Sequence, residues 1–209
     1  MDGVLVDSEP LHKEVLENVF NELAIDYTKE YHDTLVGMPS TPKWKKIISD
    51  FNLERDISEL IELNKSAFYK EIESRDIPVT EGLFSLLDRL DKLNLKKSLA
   101  SSSPVKLINI IVDRLEIRHH FDYLVSGEEV ERGKPFPDIF LKVAELYNIE
   151  PSDFLVIEDS HNGVLAAKAA GMTCIGYKNL NSGNQDLTKA DIVIDHFDEL
   201  SDKVLKELD

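Results

Sequence analysis

From Val79 to Ile194 the chain alternates short apolar runs with amphipathic stretches, and this rhythm constrains its fold more than any other feature. Helical periodicity covers residues 81–93, 105–115, 138–147 and 162–170, the last stopped by Gly171. Short strand-like runs lie between and after them at 95–100, 121–126, 154–158 and 173–177, with another at 191–194. Strands separated by single helices pair in parallel, because the crossover returns each strand to the same edge direction. The pattern therefore predicts an α/β domain whose parallel sheet carries helices on both faces. A last amphipathic helix is expected near 198–208.

The first third of the chain has a different rhythm. Leu11, Val15, Leu16, Val19, Phe20 and Leu23 recur at three and four, as do Leu60, Ile61, Leu63, Ala67, Phe68 and Ile72. Between them Pro39-Ser40-Thr41-Pro42 reads as a helix start, with proline in the first turn. Residues 9–75 thus form a small all-helical unit, with Trp44 and Phe51 expected as packing residues. No internal repeat or low-complexity tract is present, and 179–185 is the most loop-like stretch.

Composition narrows the classes of function. With 24 basic and 40 acidic residues the formal net charge is -16, a field that repels nucleic acid. The same field opposes small anions, so a phosphate site would need its own lysine and a divalent cation to invert the local potential. No run approaches the roughly 18 apolar residues needed to span a bilayer, and the N-terminus lacks the order of a secretory signal. A cytoplasmic, monomeric protein without nucleic-acid or membrane partners is the expectation. The lone Cys174 reads as a small buried strand residue.

Four polar clusters fall at strand carboxyl ends or strand starts, where open α/β sheets bind ligands. They are Asp2-Gly3 with Asp7, Ser101-Ser102-Ser103, Gly133-Lys134-Pro135-Phe136-Pro137-Asp138, and Glu158-Asp159-Ser160. Each alone has an ordinary structural explanation as a cap or a turn. Their order and placement are the informative part.

Met1-Asp2-Gly3-Val4, Ser101, Lys134-Pro135-Phe136-Pro137-Asp138 and Glu158-Asp159-Ser160-His161-Asn162-Gly163 together resemble the four motifs of the haloacid dehalogenase (HAD) superfamily, in its phosphatase and β-phosphoglucomutase-like branch. The resemblance implies a Rossmann-like three-layer α/β core with a parallel sheet (residues 1–8 and 78–209) and an inserted all-helical cap (residues 9–77). It further implies phosphoryl transfer from a small phosphorylated metabolite, such as a sugar phosphate, through an aspartyl-phosphate, with Mg²⁺ as cofactor. Asp159 would ligate the metal, Glu158 would assist through water, and Asp2 would contribute its carbonyl as a ligand and its side chain as general acid/base. Lys134 and Ser101 would hold phosphate oxygens. His12, Gly37, Lys65 and Ser102 fall at substrate-binding positions.

Matching Asp2 to the second Asp of the family's Asp-x-Asp puts the nucleophilic Asp just ahead of Met1, together with the central strand that would carry it. Losing about five buried strand residues would remove roughly 1.5–3 kcal/mol per large side chain, against a net stability of about 5–15 kcal/mol. We therefore expect the natural chain to extend upstream of Met1. A β-phosphoglucomutase is an alternative, as is a catalytically dead binding protein of the same fold. Ser40 stands where sugar-phosphate mutases place an arginine for the distal phosphate, which favours a phosphatase. His119-His120 has no third metal ligand near it in sequence and reads as a solvated loop.

Overall fold

The computed structural model describes residues 1–35, 38 and 40–201. It divides into two compact units, Met1–Asp7 with Ile77–Asp209, and Ser8–Asp76. The smaller unit contains α1 (Glu9–Glu22), α2 (Lys29–Asp33), α3 (Ser40–Phe51) and α4 (Ile57–Ser74). Pro10 lies in the first turn of α1, where its missing N–H costs nothing. Asp56 opens α4 by accepting from the Ser58 N–H at 2.8 Å. Leu16, Val19 and Phe20 of α1 meet Trp44 and Ile47 of α3 and Leu60 of α4 in one core. The Phe20 ring stands edge-on to Tyr27 at 4.7 Å and to Trp44 at 6.4 Å, the arrangement that aromatic quadrupoles favour. At the far end Arg75 forks onto Glu14 at 2.7 and 2.8 Å, tying the end of α4 back to α1.

The larger unit contains α5 (Leu83–Lys92), β1 (Ser98–Ser101), α6 (Val105–Arg114), β2 (Tyr123–Ser126), α7 (Asp138–Tyr147), β3 (Leu155–Glu158), α8 (His161–Ala169), β4 (Thr173–Tyr177) and β5 (Ile192–Ile194). β1 and β2 begin well after the start of their apolar runs, and β3 and β5 begin one residue after theirs. Leu95 closes the end of α5, its N–H donating to Leu90 O at 3.1 Å after Asn94 turns left-handed. Phe121 likewise closes a 3-10 turn, donating to Arg118 O at 3.1 Å. The expected C-terminal helix at 198–208 falls mostly on residues outside those described; Phe197–Glu199 is a 3-10 turn.

All strand pairs are parallel, but the single sheet expected from the alternation is divided in two. β1 pairs with β2, with Ser98 opposite Tyr123, while β4 lies between β3 and β5, with Leu155 opposite Thr173 and Ile175 opposite Ile192. Among the described residues β1 and β3 each pair on one edge only. Both groups share one core, in which Val125 of β2 and Cys174 of β4 pack with Ile139, Phe140 and Val143 of α7 and Val164 and Ala167 of α8. Residues 1–6 form a tight turn. Met1 O accepts from the Leu5 N–H at 2.7 Å and Gly3 N–H donates to Val6 O at 2.8 Å. Val6 then bridges antiparallel to Val79, and Asp7 N–H donates to Pro78 O at 2.8 Å.

Trp44 is 1% exposed at the centre of the helical unit. Trp44→Ala is expected to cost about 3–5 kcal/mol, read as an earlier unfolding of the helical signal in a denaturant titration.

Candidate active site

The polar clusters of the larger unit converge at the carboxyl ends of β1, β2 and β3. Burial would force the Glu158 carboxyl upward, but its surroundings, foremost the Lys134 ammonium, outweigh it and hold the carboxyl below its ordinary value. Lys134 donates to Glu158 Oε1, and both side chains are nearly enclosed, at 10% and 9% exposure. The second oxygen, Oε2, accepts from the Ser160 hydroxyl at 3.0 Å, and that hydroxyl in turn accepts from Gly163 N–H at 3.0 Å as the N-cap of α8. A Cβ on Gly163 would lie 2.0 Å from Glu158 Oε2, so the first turn of α8 must run directly over this carboxylate.

Among the described residues no basic side chain pairs with Asp159. Burial, followed by the charge of Glu158, pushes its carboxyl up to about 6 from an ordinary 3.8. Its Oδ2 accepts from the Ser182 hydroxyl at 2.6 Å. The same oxygen would lie 1.8 Å from a Cβ on Gly3, whose φ of +71° is one that only glycine adopts without strain. The turn at Gly3 therefore lies against the Asp159 carboxylate. Beside it, Asp2 Oδ2 accepts from the Ser103 hydroxyl at 2.7 Å. Ser101 is buried, and its Oγ accepts from Ser103 N–H at 3.1 Å, while the Ser126 hydroxyl donates to Ser103 O at 2.7 Å. The serine cluster after β1 is thus an ordered turn aimed at Asp2. Ser102 sits on this turn, its Cα packed where a Cβ on Gly127 would come within 3.1 Å.

These contacts gather Asp2, Ser101, Lys134, Glu158 and Asp159 from four separate segments. The remaining candidates belong to the helical unit. His12 stacks on Phe68 with ring centroids 4.1 Å apart and planes 9° apart. Lys65 lies exposed on α4 near Glu62 at 3.7 Å. Gly37 lies outside the described residues. The loop after β4 supplies partners that the motifs do not include. Asn179 Nδ2 donates to Gly3 O at 3.0 Å, Asn181 Nδ2 donates to Asp7 Oδ2 at 2.6 Å, and Ser182 holds Asp159. The signal available in the sequence was position, since this polar loop follows the carboxyl end of a strand as the Ser101 and Glu158-Asp159 motifs do.

His119-His120 departs from the expectation of a solvated loop without a third ligand. The rings are 4.0 Å apart, His120 is largely enclosed, and folding brings Asp88 and Asp91 of α5 beside it. One ligand atom from each of Asp88, Asp91 and His120 lies within 4.8 Å of the others. Asp91 is already engaged by Lys97 and by His120 Nδ1. Cys174 is fully buried and burial pushes its thiol up to about 12, which leaves it inert as a nucleophile.

An α/β core with a lysine, hydroxyls and carboxylates at its strand ends defines a protein built to bind an anion beside acidic groups, which is the requirement of phosphoryl transfer. A family profile described as haloacid dehalogenase-like hydrolase matches residues 1–177. The chain belongs to this haloacid dehalogenase-like hydrolase family, and it is an enzyme of the phosphatase and phosphomutase class. It is 31% identical to a phosphorylated carbohydrates phosphatase of Thermotoga maritima, over 100% of this chain and 96% of the relative. It is 29% identical to a β-phosphoglucomutase of Bacillus subtilis, over 99% and 92%. The crystal structure of a β-phosphoglucomutase from Clostridium difficile superposes with a TM-score of 0.77 at 26% identity, covering 99% of this chain and 93% of the other.

Because Asp159 titrates higher in the folded chain than in the unfolded one, its cost is absent below about pH 4, grows as pH rises and is complete above about pH 6. In metal-free buffer, Asp159→Asn is expected to raise the melting temperature at pH 7 but not at pH 4, measured by differential scanning calorimetry.

Proposed function

We propose that this protein is a Mg²⁺-dependent phosphatase of a small phosphorylated metabolite, a sugar phosphate in the first instance. The observation that carries the reading is the enclosed Lys134–Glu158 pair beside Asp159 and the Asp2-Gly3 turn. The donor set fits a hard divalent cation: Asp159 is a largely enclosed carboxylate with no basic side chain paired to it among the described residues, and the Asp2 carbonyl adds a neutral oxygen. Glu158, already engaged by Lys134 and Ser160, would act through water. When bound, Mg²⁺ would neutralise charge on the phosphoryl oxygens.

The chain's own groups would do the rest. Lys134 would hold a phosphoryl oxygen while remaining paired with Glu158, so its charge stays fixed in place. Ser101 and the backbone N–H groups of its turn would donate to another oxygen. Asp2, oriented by the Ser103 hydroxyl, would give a proton to the leaving oxygen and later take one from water. The attacking carboxylate in this reading is an Asp immediately ahead of Met1, forming an aspartyl-phosphate. The edges of β1 and β3 that are unpaired among the described residues are the places where a strand carrying it would pair. The helical unit, with His12, Lys65 and Gly37, would select the substrate, in a cytoplasmic and monomeric protein.

β-Phosphoglucomutase activity is the second reading, favoured by the relatives of that name and opposed by Ser40 in place of an arginine. With the upstream residues supplied, a panel of sugar phosphates is expected to release inorganic phosphate in the presence of Mg²⁺ and not in excess EDTA. Lys134→Ala should lower kcat/KM by about 10²-fold or more. Conversion of glucose 1-phosphate to glucose 6-phosphate without phosphate release would establish the mutase. Absence of turnover on every member of the panel would overturn both.

A further inference from the structure

The loop after β4 touches both halves of the candidate cation site, although no motif includes it. Ser182 donates to Asp159 Oδ2 at 2.6 Å, the oxygen already confined against Gly3. With Oδ2 so engaged, the carboxylate cannot rotate freely, and Oδ1 is left as the oxygen that can turn to a cation. Three residues earlier, Asn179 donates to Gly3 O at 3.0 Å from a buried position. The Gly3 N–H donates to Val6 O at 2.8 Å, and in a trans peptide this points the Asp2 carbonyl the opposite way. Both peptides flanking Gly3 are therefore fixed, one by the turn itself and the other by Asn179.

The loop is also secured to its surroundings. Asn179 Oδ1 accepts from Asn181 N–H at 2.7 Å, and Asn181 Nδ2 donates to Asp7 Oδ2 at 2.6 Å. Gln185 donates to Ser182 O at 2.9 Å and accepts from the His161 N–H, in the first turn of α8, at 3.0 Å. Its contacts thus run from the Gly3 turn at one end to the β3–α8 turn at the other. Those two turns carry the Asp2 carbonyl and the Asp159 carboxylate.

We propose that Asn179 and Ser182 are positioning residues that hold the Asp2 carbonyl and the Asp159 carboxylate in the relative geometry required to bind a divalent cation. This rests on the proposed Mg²⁺ site and adds the groups that set its geometry. Partners of metal ligands commonly govern affinity by 10- to 100-fold without touching the metal.

Mg²⁺ alone, titrated calorimetrically into the purified chain, tests this, with melting temperatures taken with and without Mg²⁺. Ser182→Ala and Asn179→Ala are each expected to weaken Mg²⁺ binding by about 10-fold, and to lose the Mg²⁺-induced rise in melting temperature. Ser182→Thr, which keeps the hydroxyl, should restore affinity to within about twofold, and Asn184→Ala in the same loop should match the parent. Mg²⁺ affinity in both alanine variants within twofold of the parent would overturn the positioning role while leaving the metal-dependent reading intact. So would affinity that falls only in step with the metal-free melting temperature and is not restored by Ser182→Thr. A parent chain that takes up no Mg²⁺ would remove the metal-dependent reading and this proposal together.

Discussion

The enclosed pair of Lys134 and Glu158 is the contact on which the site is organised. Removing two charges from water costs several kcal/mol per ion, and the cost is offset because both oxygens of the carboxylate have a donor. Lys134 takes one oxygen of Glu158, and Ser160 takes the other while capping α8. The absence of a side chain at Gly163 allows the helix to start directly over the carboxylate. A loop from the third motif, the end of β3 and the start of α8 are thereby fixed to one point. Breaking the pair on one side would leave an unpaired buried charge, so these elements keep their places together.

Asp159, one residue further, is treated in the opposite way. Among the described residues no basic side chain is paired with it, and burial together with the neighbouring Glu158 raises its carboxyl to about 6. In a chain of net charge -16 an anionic substrate meets a repulsive field. A site that concentrates one lysine, several hydroxyls and an uncompensated carboxylate can reverse that field locally when a cation is present. The adjacent carboxylates thus sit in different environments, Glu158 held by Lys134 and Ser160 and Asp159 by the Ser182 hydroxyl.

Much of this was legible in the residues. The alternation of helix and strand located α5 to α8 and β1 to β5, and the starts of β1 and β2 moved where local hydrogen bonding intervened. Leu95 and Phe121 are as apolar as the strands they precede, but each closes a helical turn, which hydrophobicity cannot report. The four polar clusters brought out Asp2, Ser101, Lys134, Glu158 and Asp159 through their residue types and their order along the chain. Asn179 and Ser182 were not announced, since their partners are 176 and 23 residues away and the loop carries no motif. The same holds for His120, which meets Asp91 29 residues distant.

The sequence by itself determined the α/β class, the separate helical unit and the identities of the acidic, basic and hydroxyl groups at the strand ends. These follow from periodicity and from residue chemistry, both of which are local along the chain. Only the tertiary structure decided how the strands are shared between two parallel groups, which carboxylate Lys134 neutralises, and which groups hold Gly3 and Asp159. Those choices depend on distances between segments far apart in sequence. They are settled by which buried polar groups can all be satisfied at once.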